Sequence, residues 1–282
     1  MPVPLAHTLA ALPATTSMLL GKVAPERHLA GAFAARAVGE RHQREFAEMV
    51  ANADRIVAIS AWSFEALKLN GVPAEKLAFT RSGVDTAFPE HAATVALEKQ
   101  QPVDRSFRLL YLGRWDPLKG VHVLVRAVMS LPRDLPIELV VHGIANNGSQ
   151  RNYAASVCRL ADGDARIRFE PPLQRSQLLT AFSNADALAV PSLWFETAPL
   201  VILEAQAAGL QIIGSRLGGI PELVQEPKDG LLVSAGDVAA WANAIRQVAT
   251  AASPKPSLNI RSSIRTMRHV AEEIASIYKS LS

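Results

Sequence analysis

Cysteine is almost missing from this chain of 282 residues. Cys158 stands alone, so no intrachain disulfide can staple the fold, and a reducing, cytoplasmic setting is expected. Charge of one sign is nowhere concentrated: the formal net charge is +3, spread over the chain without a basic block. That argues against nucleic acid as a partner and leaves anionic small ligands or a membrane surface as uses for the excess. Long apolar runs are missing too. The stretch 5–20 contains His7, Pro13 and several hydroxyls, has no basic leader, and is too short and polar to span a bilayer. His and Cys are scattered and no acidic pair has ligand spacing, so no metal is expected. Internal repeats and low-complexity tracts are absent, and no Gly-x-Gly-x-x-Gly signature follows the first strand of the regular region described next.

Hydrophobic residues make up 49% of the chain, enough for a large core, and the length suggests about two domains. From residue 107 onward, strand-like runs at 107–112, 137–142, 167–170, 187–190, 211–214 and 231–233 alternate with helix-patterned segments. Such alternation predicts an α/β fold with a doubly wound parallel sheet, helices on both faces and right-handed crossovers. Ahead of it, 54–60 reads as a strand, 61–69 as a helix stopped by Asn70 and Gly71, and 76–81 as another strand, all belonging to a different unit. The segment 88–105 mixes charge with Pro89 and Pro102 and reads as a linker, and 262–281 reads as one amphipathic closing helix. The expected division is therefore a partial N-terminal domain at 1–88, a linker at 89–105, a ligand-binding α/β domain at 106–261 and a terminal helix at 262–282.

Three segments carry chemistry. In WFETAPLVILE (194–204), Glu196 and Glu204 are separated by seven residues across a loop-to-helix junction. Pro199 fits the first helical position and Gly209 the position just past the end, which puts Glu196 on the entering loop and Glu204 inside the helix. The two carboxylates cannot share one helical face, but between them lie free backbone N–H groups. Those groups and the helix dipole favour an anion such as a diphosphate, with the carboxylates left to accept from hydroxyls on either side, an arrangement that suits a sugar nucleotide. In GRWDPLKG (113–120), a strand leads through a cationic loop into a helix, and Arg114 and Lys119 supply the fork and the point charge that a diphosphate needs. GGIPELV (218–224) is another tight turn into a short helix, its glycines needed for close backbone approach.

These segments, in this order, resemble the donor-binding half of a retaining glycosyltransferase of family 4 with the GT-B fold; the resemblance is specific over 107–234 and weaker outside. It implies two Rossmann-like domains, acceptor domain first, with the terminal helix crossing back onto that first domain. The segment PLAHTLAA (4–11) is similar to the late strand that leads into the family's active-site histidine, and Ala10 stands at the matching position, with His7 three residues earlier. ADRIVAIS (53–60) and RSGVD (81–85) match the exit from the acceptor domain, the latter with Arg81 and Ser82 in place of the usual proline and asparagine. The first domain thus reads as shortened.

By the same resemblance, Arg114 and Lys119, at the loop opened by Gly113, would bind the diphosphate and neutralise charge on the departing nucleotide. Glu204 would accept from the ribose hydroxyls and Glu196 from those of the transferred hexose. The backbone of Ala198, Pro199, Leu200 and Val201 would line the phosphate cradle, Pro199 itself offering no N–H, and the base would lie near Pro172 and Leu173. Transfer would be metal-independent, without a cofactor, from a nucleotide sugar to a glycan or lipid-linked acceptor, cytoplasmic or peripheral to the inner face of the membrane. Two other readings stay open: an inactive donor-binding module, completed by a partner chain or a second copy, and a sugar-nucleotide epimerase. Among the remaining candidates, His142 reads as packed and hydrogen-bonded as readily as ligand-binding, Trp194 as a wall of pocket or core, Cys158 as a buried small hydrophobe, His122 as capping or solvent-facing, and Asp85 and Asp116 as turn residues.

Overall fold

Six strands form beyond residue 107, and every neighbouring pair among them is parallel. The computed structural model describes residues 27–85, 88, 106–251 and 265–281, of which 27–36 are described by their backbone course alone. It divides into two compact units, Met1–Ile56 with Val72–Leu77, and Val57–Gly71 with Ala78–Ser282. The expectations placed on residues 1–26, 89–105 and 262–264 lie outside the described residues, including those for His7 and Ala10.

The first unit holds the long helix α1 (Arg27–Asn52). Lys76 Nζ donates to the carbonyls of Val50 and Ala51, at 2.7 and 3.1 Å, placing a cation where the helix dipole is negative. Strands β1 (Ile56–Ala58) and β2 (Leu77–Phe79) make a two-stranded sheet. Both are shorter than the expected runs. Ser60 is taken up as the N-cap of α2 (Ala61–Leu69), and 74–76 form a 3₁₀ turn. Helix α2 ends as expected at Asn70, with Gly71 at φ +84° just beyond.

The second unit contains the large sheet. Its elements in chain order are β3 (Phe107–Arg114), α3 (Val121–Ser130), β4 (Ile137–Ile144), α4 (Gly148–Leu160), β5 (Ile167–Glu170), α5 (Leu178–Ser183), β6 (Ala187–Val190), α6 (Leu200–Ala207), β7 (Gln211–Ser215), α7 (Ile220–Leu223), β8 (Gly230–Val233), α8 (Val238–Thr250) and α9 (Met267–Lys279). The spatial strand order is β5-β4-β3-β6-β7-β8. Successive side chains of a strand point to opposite faces, and the core divides accordingly. Leu109, Tyr111, Leu139, Val141, Ala187, Ala189 and Ile213 join one apolar cluster with α3, α4 and α8. Leu110, Leu188, Val190 and Ile212 join a second with Phe182 of α5, Ile202 and Ala205 of α6 and Ile220 of α7. Helices therefore cover both faces, which is the doubly wound arrangement read from the sequence.

Strand β3 runs two residues further than its apolar run, because the ladder to β4 continues through Gly113↔Gly143 and Arg114↔Ile144. The glycines serve aromatic packing there. A Cβ on Gly113 would lie 2.7 Å from the Tyr111 hydroxyl, and one on Gly143 would lie 2.1 Å from Nε1 of Trp115. Arg114 thus ends a strand, and the loop begins at Trp115. Helix α9 starts at Met267, and its entry is anchored by a parallel bridge between Val84 and Thr266. Glu273 accepts from Thr80 Oγ1 at 2.5 Å and from Arg265.

At the opposite end of the sheet, the buried carboxylate of Asp164 holds Arg166 through Nε and Nη2, at 3.0 and 2.9 Å. Arg166 in turn donates to the carbonyls of Val128 and Pro132 at the C-terminus of α3. The hydrogen bonds from Arg166 hold the Asp164 carboxyl below its ordinary value of 3.8, so the pair stabilises the fold above that pH and its contribution fades as pH falls further. Asp164→Asn should cost about 3 kcal/mol near neutral pH, since it leaves the largely covered Arg166 without its counter-charge. Denaturant titrations of both proteins at several pH values check this: the gap between them should narrow below pH 3.8, and an equal gap at every pH would show that the charge is not what matters.

Candidate functional site

Strand order reverses between β3 and β6. The chain leaves β3 for α3 on one face and leaves β6 for α6 on the other, so the two loops part and open a crevice at the carboxyl edge. The loops are nevertheless tied together at their bases. Leu193 N donates to Leu118 O at 2.7 Å, and Gly120, at φ +72°, comes so near Pro191 that a Cβ would lie 1.9 Å from its carbonyl oxygen. Across this seam Lys119 Nζ meets Glu196 Oε1 at 2.5 Å, and the hydroxyl of Ser192 donates to the same oxygen at 2.6 Å. Both side chains of the ion pair are largely covered, with 26% and 15% of their surface exposed.

A third loop, after β7, closes on the peptide that carries Glu196. Gly219 N donates to Glu196 O at 2.6 Å; a Cβ on Gly219 would lie 1.9 Å from Thr197 O, and one on Gly218, at φ +60°, 2.6 Å from Glu196 O. The glycine pair is there for backbone approach, as its sequence context suggested. Asp116 accepts from Leu118 N at 2.9 Å and caps the 3₁₀ turn that carries Lys119. Buried Tyr111, its hydroxyl pushed well above the usual tyrosine range chiefly by burial, donates to Arg114 O at 3.1 Å. The strand end bearing exposed Arg114 is thereby held from below.

Helix α6 begins at Leu200, with Pro199 at the N-cap, one position earlier than its fixed φ suggested. No side chain caps this terminus; at α3, whose N-cap is Gly120, the Tyr153 hydroxyl accepts from His122 N at 3.3 Å. Helices α4 and α8, away from the crevice mouth in sequence, are capped by Asn147 and Asp237. Of the two helices that leave the switch point, α6 thus presents an uncapped positive end, a setting that favours an anion. One turn on, Glu204 is half-buried and has no hydrogen-bond partner among the described residues. Burial raises its pKa from 4.5, with Arg175 nearby opposing the shift and Asp85 reinforcing it. Arg175 and Asp85 are themselves paired at 2.7 Å, so Asp85 does more than turn the chain. The loop after β5 carries half-buried Leu173, and His142 Nδ1 lies 2.7 Å from the carbonyl of Pro171 in the same loop.

The structure therefore pairs Lys119 with Glu196 directly and sets Gly113, Arg114, Ala198, Pro199, Leu200, Val201 and Glu204 at the ends or first turns of the elements around the same crevice. Trp194 is not a core residue: it is 57% exposed, packed edge-on against Phe195 at 6.3 Å. Cys158 is half-buried. His122 lies 2.7 Å from the Tyr153 hydroxyl through Nδ1 and does not cap its helix. Ser192 and Trp62 were not singled out in the sequence, and Glu222 appeared there only as part of the GGIPELV turn. Among the described residues no group of three or more His, Cys, Asp or Glu could hold a metal, and no helix is long and apolar enough to cross a membrane.

Comparison with known proteins adds to this geometry. Residues 94–262 match the family model described as glycosyl transferases group 1. The D-inositol 3-phosphate glycosyltransferase of Mycobacterium tuberculosis is 34% identical over 252 residues, which cover 86% of this chain and 48% of that protein. The chain thus spans about half the length of the curated relatives it matches. Among solved structures, sucrose-phosphate synthase from Thermosynechococcus elongatus superposes with a TM-score of 0.70 at 27% identity, covering 86% of this chain and 62% of that one. The fold is shared by Anabaena HepE, solved in complex with UDP and glucose, with a TM-score of 0.70 at 21% identity over 89% of this chain and 74% of that one.

The state of Glu204 makes a prediction of its own. A carboxyl whose folded pKa lies above its unfolded value opposes folding once it is ionised, and that penalty is relieved as pH falls through the folded pKa. Glu204→Gln should therefore raise the thermal midpoint at pH 7 and lose that advantage in acid. Calorimetric melts at the two pH values decide it, and a lower midpoint at pH 7 would mean that the carboxylate has a structural partner.

Proposed function

The chain belongs to the glycosyl transferases group 1 family, and on that premise we propose that it transfers a hexose-type sugar from a nucleotide diphosphate sugar to a glycan or lipid-linked acceptor, with retention, as a member of glycosyltransferase family 4. One observation carries the reading: the Lys119–Glu196 pair bridges the two loops at the switch point, beside the uncapped N-terminus of α6. A cation, a carboxylate and free backbone donors then face one crevice, which is what a diphosphate flanked by sugar hydroxyls requires.

In this reading the diphosphate lies across the start of α6, and Arg114 and Lys119 neutralise its charge. Lys119 exchanges Glu196 for phosphate oxygens, which frees Glu196 to accept from hydroxyls of the sugar. Glu204, half-buried and without a hydrogen-bond partner among the described residues, accepts from the ribose hydroxyls, and the base lies along the loop of Pro172 and Leu173. The bond between the anomeric carbon and the phosphate oxygen breaks, and the acceptor hydroxyl bonds to that carbon on the face being vacated. Its proton passes to the departing diphosphate. The two cations stabilise the charge that develops there, the role a metal ion fills in other sugar-nucleotide chemistry, so turnover proceeds without one.

Calorimetric titration with UDP, GDP and ADP, followed by an assay of the matching sugar nucleotides, tests the proposal. One nucleotide should bind, and Arg114→Ala or Lys119→Ala should weaken it about tenfold or more, the scale of a lost charge-assisted contact. Glu196→Ala should keep nucleotide affinity while turnover drops by about a hundredfold or more, and a chelator should change nothing. Wild-type turnover in Glu196→Ala would remove that residue from the mechanism. Absence of any nucleotide binding would refute the reading.

A further inference from the structure

Glu222 lies outside the set of groups just assigned, yet its carboxylate makes two short polar contacts. Oε2 accepts from Ala61 N at 2.6 Å and Oε1 from Trp62 N at 2.7 Å. These are the first two N–H groups of α2, and the third, on Ser63, donates to Ser60 Oγ at 3.1 Å. The exposed donors of that terminus are thus completed by a residue 160 positions away in the chain, on a helix of four residues. Residues 57–71 and 78–282 belong to one compact unit, so these contacts lie within it.

The same turn of α2 holds the donor loop a second time. The Trp62 ring stacks on Phe195 with centroids 5.3 Å apart and planes inclined by 6°. Phe195 is the residue before Glu196, and Gly219, three residues before Glu222, donates to Glu196 O. A closed circuit results: Glu196 to Gly219 by hydrogen bond, Gly219 to Glu222 along the chain, Glu222 to Trp62 by the helix cap, and Trp62 to Phe195 by the stack. Any swing of the loop bearing Glu196 must break the stack, the cap or the 2.6 Å bond from Gly219.

We propose that Trp62 and Glu222 are positioning residues that brace the peptide of Glu196 from the N-terminus of α2. The proposal rests on the assignment of Glu196 to the transferred sugar for its catalytic consequence, but the brace itself is a physical property of the loop. A carboxylate is the side chain suited to the cap, since both of its oxygens accept. Glu222→Gln keeps one acceptor and turns an N–H₂ donor toward the other backbone N–H. Trp62→Ala removes the stack, and Trp62→Phe restores a ring against Phe195.

Hydrogen exchange on the full chain, alongside steady-state kinetics, tests this. In Glu222→Gln and in Trp62→Ala the amide of Gly219 should exchange about tenfold faster or more, while sheet amides such as those of Leu139 and Ile212 stay as protected as in the wild type. Turnover should fall about tenfold or more with KM for the nucleotide sugar changed by less than about threefold, the pattern of a misplaced catalytic group, and Trp62→Phe should recover most of both readouts. Unchanged exchange at Gly219 in both variants would overturn the brace. Faster exchange with unchanged turnover would overturn its role in positioning. Faster exchange in a protein whose wild type turns over no sugar nucleotide would leave the brace standing and count against the proposed function alone.

Discussion

The seam between β3 and β6 governs the rest of this molecule. Its ladder is short, Leu109 with Ala187 and Leu110 with Leu188, and it joins two strands whose crossovers leave to opposite faces. Parallel strands need long right-handed crossovers, so reversal of winding at one place makes the loops part at the carboxyl edge. Every feature of the site follows from keeping that opening narrow at its floor. Gly120 lets the loop after β3 lie against Pro191, the Leu193–Leu118 hydrogen bond pins the two strand extensions, and Lys119 meets Glu196 just above.

Much of this was legible in the chain, and the parts that were not have physical reasons. Strands 167–170 and 187–190 and helix 61–69 were read to the residue: 187–190 is a fully buried apolar run, 167–170 alternates apolar and charged residues, and a capped helix carries its own stop at Asn70 and Gly71. The end of β3 was missed because hydropathy ends at Leu112, whereas pairing with β4 carries the strand through Gly113 and Arg114. Pattern reading sees side chains, and a ladder is made by backbone. Of the site, the charged and turn-forming members Arg114, Lys119, Glu196 and Glu204 stood out, since each contradicts its surroundings. Trp62 and Glu222 did not, because their roles depend on contacts between distant segments that local spacing cannot encode, and Ser192 did not, because its reach to Glu196 four residues on is set by the course of an irregular loop.

The electrostatics of the crevice divide its carboxylates by environment. Glu196 has a cation and a hydroxyl within 2.6 Å and is matched where it stands. Glu204 has no such partner among the described residues, and burial raises its pKa. A half-buried acceptor without a donor is a standing cost that a ligand offering hydroxyl groups would remove. Two glutamates in one segment therefore differ in kind: one is held by a cation and a hydroxyl, and the other has no hydrogen-bond partner among the described residues.

The Lys119–Glu196 pair is suited to being exchanged. A partly exposed ion pair contributes little net stability, because its Coulomb attraction is offset by desolvation and by ordering of two flexible side chains. In the proposed reading, breaking it in favour of a diphosphate and a sugar hydroxyl would cost the fold little, provided that the backbone carrying each charge stays put. That backbone is where the structure concentrates its close contacts: Asp116 and Gly120 under Lys119, Gly218 and Gly219 under Glu196, and the Tyr111 hydroxyl under Arg114. In the proposed reading, side chains that exchange partners are set on peptides held by close contacts, so that the energy of binding would go into rearranging charges and not into moving loops.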